Sequence, residues 1–153
     1  MSKPLPLSVT HEVRDGCICL HTHRAARALA RYFDMALAPL NLSHGQFSLL
    51  VSLNRPTAPT MGAVADVLAM DRTTLTANLK PLQRRGLLKV AVDGYDKRSR
   101  LLLLTVAGKR LLAKAVPIWR RTHHEVDGRF LRSDRNAMRA GLLALSGIDA
   151  RAD

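Results

Sequence analysis

Long apolar runs are missing from this chain. No stretch approaches the ~18 consecutive apolar residues that a membrane span needs, and the run at residues 101–104 is only strand-sized. The amino terminus has no basic segment followed by an apolar one, so neither a signal peptide nor a membrane partner is expected. Cysteine is reduced to Cys17 and Cys19, too close in sequence to make a useful staple, which excludes a disulfide framework and points to a reduced cytoplasm. Aromatic residues make up 4%, so the core must rest on Leu, Ala and Val, a composition that favours packed helices. Acidic residues are also few, 12 against 24 Lys and Arg. A Gly-rich phosphate loop is absent, as are paired carboxylates in a predicted cleft, which argues against an enzyme.

What is present is a folded, strongly basic chain. Its 153 residues suffice for one hydrophobic core, and 47% of them are hydrophobic. The formal net charge of +12 favours phosphates or an anionic surface as partner and says nothing about fold. Most of the cations are arginine, suited to forked contacts with phosphate and guanine. A solvated basic surface with no partner is the lesser alternative on charge alone, and a nonspecific architectural DNA binder would share the same charge.

Pro4 and Pro6 mark residues 1–12 as a loose arm, and residues 13–40 read as one long helix. In it Ala28, Leu29, Tyr32, Phe33, Ala36 and Leu37 recur at three- and four-residue steps. Ser43 can cap a second helix with Phe47, Leu49, Leu50 and Leu53, and Thr60 a third with Val64, Ala65 and Leu68 inward. Asp71 can cap a fourth over residues 72–85, closed by Gly86. Leu75, Leu79 and Leu82 give that helix a narrow apolar stripe, and a bend is expected at Pro81. Beyond Gly86 the period changes: residues 87–92 and 101–105 read as two strands of a hairpin with a polar, basic tip. A fifth helix is expected over residues 108–126, bent or interrupted at Pro117, and a sixth over 134–145.

Two short helices, a tight turn and a hairpin with a cationic tip make a DNA-reading device. The second helix of such a pair lies in the major groove with its first residues at base edges. Its outward face here carries Arg72, Thr73, Thr74, Thr76, Asn78, Lys80 and Arg84. Arginine can fork onto guanine, asparagine onto adenine, and threonine can meet a thymine methyl or a phosphate. Three threonines do little for an exposed helix, so a reason other than helix stability is expected for them. The tip residues Lys97, Arg98 and Arg100 suit the neighbouring minor groove, whose negative potential attracts arginine. Asp96 is expected to pair with Arg98 or Arg100 and hold the tip in shape.

Asp71-Arg72-Thr73-Thr74-Leu75-Thr76, then Leu82, Arg85-Gly86-Leu87-Leu88, Asp96-Lys97-Arg98, and Leu104-Thr105 with Gly108, together resemble the multiple-antibiotic-resistance regulator (MarR) family. The likeness covers about residues 13–147. It implies a mainly α fold with a small β-hairpin wing: a winged helix-turn-helix with flanking dimerisation helices, in a single domain over residues 1–153. Residues 43–105 would form the reading head and residues 13–40 and 106–147 the dimerisation helices. The resemblance also implies a triangular homodimer on a pseudo-palindrome in double-stranded DNA, acting as a repressor. The terminal helices are too apolar to hang free. Leu111, Leu112, Val116, Ile118 and Trp119 on one helix, with Leu142, Leu143 and Leu145 on the other, are the candidate dimer base, part of which can equally be intramolecular core.

Relatives of this kind commonly respond to a small aromatic or acidic effector or to cysteine oxidation. His23, Arg27, His44 and Phe47 are the candidate effector lining. Counted back from Leu40-Asn41, Cys19 matches the reactive cysteine of the organic-hydroperoxide-sensing branch, although the two tyrosine positions that engage that cysteine read Phe33 and His44 here. The alternation of Cys17, Cys19, His21 and His23 resembles a metal cluster. Residues two apart point nearly opposite ways around a helix, however, so no metal and no cofactor is expected.

Overall fold

Polar capping residues set most of the helix boundaries. In the computed structural model, which describes residues 4–147, Ser43, Thr60, Asp71 and Thr105 each accept the backbone N–H of the third residue onward through the side chain. Ser43 and Gln46 do so reciprocally, closing a capping box. The helices so started are α3 (His44–Ser52), α4 (Met61–Val67), α5 (Arg72–Arg84) and α6 (Val106–Asp127). They are preceded by α1 (Leu7–Gly16) and α2 (Ile18–Leu37) with a 3-10 turn over Ala38–Leu40, and followed by α7 (Arg132–Ser146).

The expected first helix is two. Residues 7–12, expected as a loose arm, belong to α1, and Cys17 breaks the chain with φ −76° and ψ 106°. Gly16 is a poor helix former. The Cys17 sulfur then caps α2 by accepting from the Leu20 N–H at 3.4 Å. Residues 1–3 of the expected arm lie outside the described residues. Helix α6 passes Pro117 uninterrupted, and α7 starts two residues earlier than expected.

Helix α5 ends in a Schellman turn. Gly86, at φ 68°, donates to the Gln83 carbonyl and Leu87 to that of Leu82. The same turn closes α4, but there the left-handed residue is Ala69, at φ 49°. Strands β1 (Leu88–Val92) and β2 (Arg100–Leu104) pair antiparallel from Leu88↔Leu104 to Val92↔Arg100. The hairpin is strapped at both ends. Leu102 N–H donates to the Pro59 carbonyl at 2.9 Å beside a bridge from Thr60 to Leu101. The Thr105 hydroxyl faces the carbonyls of Gly86 and Leu87 at 2.7 and 3.0 Å.

One core lies beneath these elements. Leu37, Leu49, Leu50, Val64, Leu75, Leu82, Leu88 and Leu102 are sealed from solvent, each such burial worth about 1.5–3 kcal/mol. The leucine stripe of α5 thus faces inward. Leu112 belongs to this core, and Leu111, Val116, Ile118 and Trp119 pack against it, so that five of the eight residues of the candidate dimer base pack within the chain. Gly108 is where α6 presses on the root of the hairpin: a Cβ there would stand 2.2 Å from the Leu87 carbonyl oxygen and 2.7 Å from Leu104 Cδ1.

The outer helices are different. Neither α1 nor α7 has a buried residue, and Leu142, Leu143 and Leu145 all stay exposed. Helix α7 is tied to α6 through Asp127, which accepts from Arg139 Nη2 at 2.7 and 2.9 Å, with His123 Nδ1 at 3.6 Å and Arg135 Nη1 at 3.8 Å. The Arg139 guanidinium, helped by His123 and Arg135, holds this carboxyl below the usual carboxylate range. Among the described residues no helix is long and apolar enough to cross a membrane.

Candidate nucleic-acid interface

Burying Leu75, Leu79 and Leu82 turns the other side of α5 outward. Arg72, Thr73, Thr74, Thr76, Asn78, Lys80 and Arg84 are all exposed. Their hydroxyls are not equally free. Thr74 donates its hydroxyl to Asp71 Oδ2 at 2.6 Å while its N–H meets Asp71 Oδ1 at 2.8 Å. These two bonds hold the Asp71 carboxyl below its ordinary range. Thr76 donates to the Arg72 carbonyl at 2.7 Å. Thr74 and Thr76 therefore offer a methyl and an acceptor outward, not a spare proton, whereas Thr73 keeps its hydroxyl uncommitted among the described residues. Asn78 leans toward Met70, its amide 3.9 Å from the sulfur. Arg72, Thr73, Thr76, Ala77 and Lys80 line one shallow concavity, and Lys80, Gln83 and Arg84 line the next.

The wing tip is held by backbone contacts. Asp96 pairs with neither guanidinium as expected: its Oδ1 accepts the Arg98 backbone N–H at 3.0 Å. A short carboxylate reaches the main chain two residues on without the entropy cost of fixing an arginine. Asp93 makes the same turn with the Tyr95 N–H at 2.9 Å. Arg100 folds back, donating to the carbonyls of Lys97 and Ser99 at 3.0 and 3.2 Å. Lys97 and Arg98 project freely, as does Tyr95, a fully exposed aromatic that charge-based reasoning passed over. Between the wing and the start of α5 lies a cleft of about 490 Å³ lined by Arg72, Arg98, Arg100 and Thr60 among others.

The candidate effector residues separate into two groups. His44 and Phe47 come together with three residues sequence reasoning had not placed there. Phe33 lies 5.3 Å from His44 and 6.2 Å from His123, and Trp119 lies 4.9 Å from His123 and 6.2 Å from Phe47, ring centre to ring centre. The four-residue spacing of Trp119 and His123 was the available signal. Phe47 itself is core, and His23 and Arg27 stay exposed on α2 outside the cluster. A separate apolar groove of about 340 Å³ opens between α2, the end of α6 and α7, with Arg129 5.6 Å over the Tyr32 ring. The Tyr32 hydroxyl donates to Glu125 at 2.7 Å, which pushes the phenol's pKa up.

Cys19 is exposed in the first turn of α2, and Cys17 is half-buried at the break before it. Phe33 and His44 touch each other, but Phe33 is about 20 Å further along the helix than Cys19 in the same chain.

Comparison with known proteins adds to this geometry. No family model matches the chain. It is 29% identical over 108 residues to the organic hydroperoxide resistance transcriptional regulator of Bacillus subtilis, covering 71% of this chain and 74% of that protein. Among solved structures it resembles the M. tuberculosis transcriptional regulator MosR in complex with DNA, at 37% identity and a TM-score of 0.73, covering 85% of this chain and 97% of that one. It also resembles the transcriptional repressor CouR of Rhodococcus jostii RHA1 bound to a 23-mer DNA duplex, at 26% identity and a TM-score of 0.79, covering 94% and 99%.

Proposed function

The chain belongs to the MarR family of winged helix-turn-helix DNA-binding transcriptional regulators, and from that premise we propose that it is a cytoplasmic homodimeric repressor that a small effector releases from a pseudo-palindromic operator. One observation carries the reading of sequence: α5 buries its leucines and presents Thr73, Thr76, Asn78 and Lys80 outward beside a wing whose Arg98 is free. Support for a dimer comes from α1 and α7, which bury nothing within the chain. Twofold symmetry would set the two reading helices about 34–36 Å apart, one turn of duplex.

The effector reading rests on where the histidines sit. His44 on α3 and His123 on α6 both lie against Phe33 of α2, at the joint between the outer helices and the reading head. An aromatic carboxylate suits imidazoles set among aromatic rings. Duplex selected from a randomised pool should bind about a thousandfold more tightly than random duplex at matched salt, and small aromatic acids should release it. A ratio near one would replace this reading with an architectural binder.

A second reading follows from the exposure of Cys19 and the likeness to the hydroperoxide regulator. An organic hydroperoxide would oxidise the Cys19 thiol to a sulfenic acid and leave as the alcohol. Peroxide should then weaken operator binding by the wild type and not by Cys19→Ser, which should bind normally at rest. Wild-type binding that ignores peroxide ends this reading.

A further inference from the structure

Adjacent grooves of a duplex, about 12 and 6 Å wide, are separated by one sugar-phosphate strand. A protein with a helix in the first and a wing in the second must straddle that strand, and something must face it. In this chain the position between the two devices is a cleft, lined by Thr60, Met61 and Gly62 from the start of α4, Arg72 from the start of α5, and Asp96, Arg98, Ser99 and Arg100 from the wing. Its walls are fixed relative to each other, because the Pro59–Leu102 hydrogen bond and the Thr60–Leu101 bridge tie the wing to the lead-in of α4.

Arg72 heads into this cleft. Its Nη2 lies 3.7 Å from where a Cβ on Gly62 would stand, so the guanidinium turns toward α4 and the wing side of its helix. Arg100 has its Nη1 on the Lys97 and Ser99 carbonyls, which turns the guanidinium back on the tip, whereas neither Arg72 nor Arg98 donates a side-chain hydrogen bond to another described residue. The single carboxylate, Asp96, has one oxygen committed to the Arg98 backbone N–H, and three guanidinium residues against it leave the cleft positive. A guanidinium fork matches phosphate oxygens as well as it matches guanine.

We infer that this cleft seats one phosphodiester of the strand between the grooves, gripped by Arg72 from the helix side and Arg98 from the wing side. Arg72 is then a positioning residue, not the reader of guanine that its place at the head of α5 suggests. The inference rests on the winged-helix reading of the previous subsection and names what that site holds.

Neutral methylphosphonate placed at successive positions of the selected duplex tests it, with affinity followed by fluorescence anisotropy over a salt series. Wild type should lose affinity at each contacted phosphate, and at one of these per half-site both Arg72→Ala and Arg98→Ala should be insensitive. Arg72→Ala should weaken selected and random duplex alike, by about tenfold, and lower the salt slope by about one per protomer with base preferences unchanged. Arg72→Lys, keeping the charge, should keep the slope. A loss of preference at one base pair with an unchanged slope would overturn the inference. So would insensitivity of the two variants at different phosphates. If wild type fails to discriminate among sequences, the operator reading falls, and the slope on random duplex still decides the role of Arg72.

Discussion

If the chain forms the proposed dimer, replacing Leu142 and Leu143 together by lysine is expected to leave it a folded monomer and to cost operator affinity about a hundredfold or more. Leu143 is 72% exposed and Leu142 47%, on a helix that buries none of its residues within its own chain. No core contact is therefore lost, and the circular dichroism and melting of the isolated lobe should persist. What disappears is the second reading head. Binding of one head raises the local concentration of the other to the millimolar range, which multiplies affinity by about 10²–10⁴ without any new contact. Sedimentation would give the mass and anisotropy the affinity. A double variant that still sediments as a dimer, or a wild type that is already monomeric at micromolar concentration, would contradict the assignment of α7.

The second large effect is expected at Gly108. Alanine there puts a carbon 2.2 Å from the Leu87 carbonyl oxygen, which is main chain and cannot rotate away, and 2.7 Å from Leu104 Cδ1. Either α6 withdraws from the hairpin or the hairpin root shifts. Both moves strain the Thr105 cap, which accepts from the Gly108 N–H at 3.0 Å. Overpacking of this kind costs about 1–3 kcal/mol, which for a chain of this size lowers the melting temperature by about 2–10 °C. DNA affinity should fall as well, on any sequence, because the wing would no longer stand at its angle to α5. Melting and binding indistinguishable from wild type would show that the close approach is absent in solution.

How much of this was legible beforehand depends on range. Ser43, Thr60 and Asp71 could be read as helix starts because a cap acts within three residues, and the same holds for Gly86 after α5. The leucine spacing of α5 fixed which face turns outward before any tertiary contact was known. The break at Cys17 was hidden because the helix was read from the Ala- and Leu-rich stripe that begins beyond it at Ala25, and cysteine seldom advertises a cap. Ala69 hid its left-handed backbone for the same reason, glycine or asparagine being the usual occupant. Threonine hydroxyls turned back onto Asp71 and the Arg72 carbonyl are a matter of rotamer, which residue type does not reveal. The cluster of Phe33, His44, Trp119 and His123 joins segments some ninety residues apart, and the four-residue step from Trp119 to His123 reports only its local half.

The double strapping of the hairpin, to Pro59 and Thr60 on one side and through Thr105 to Gly86 and Leu87 on the other, has a mechanical consequence. Wing, α4 and α5 are joined by these contacts into a single jaw. In the proposed dimer, an effector bound at the histidine joint would then alter the stance of one jaw against the other more readily than the shape of either. Release from DNA would come from a changed span between two intact grips, as with a caliper opened past its setting.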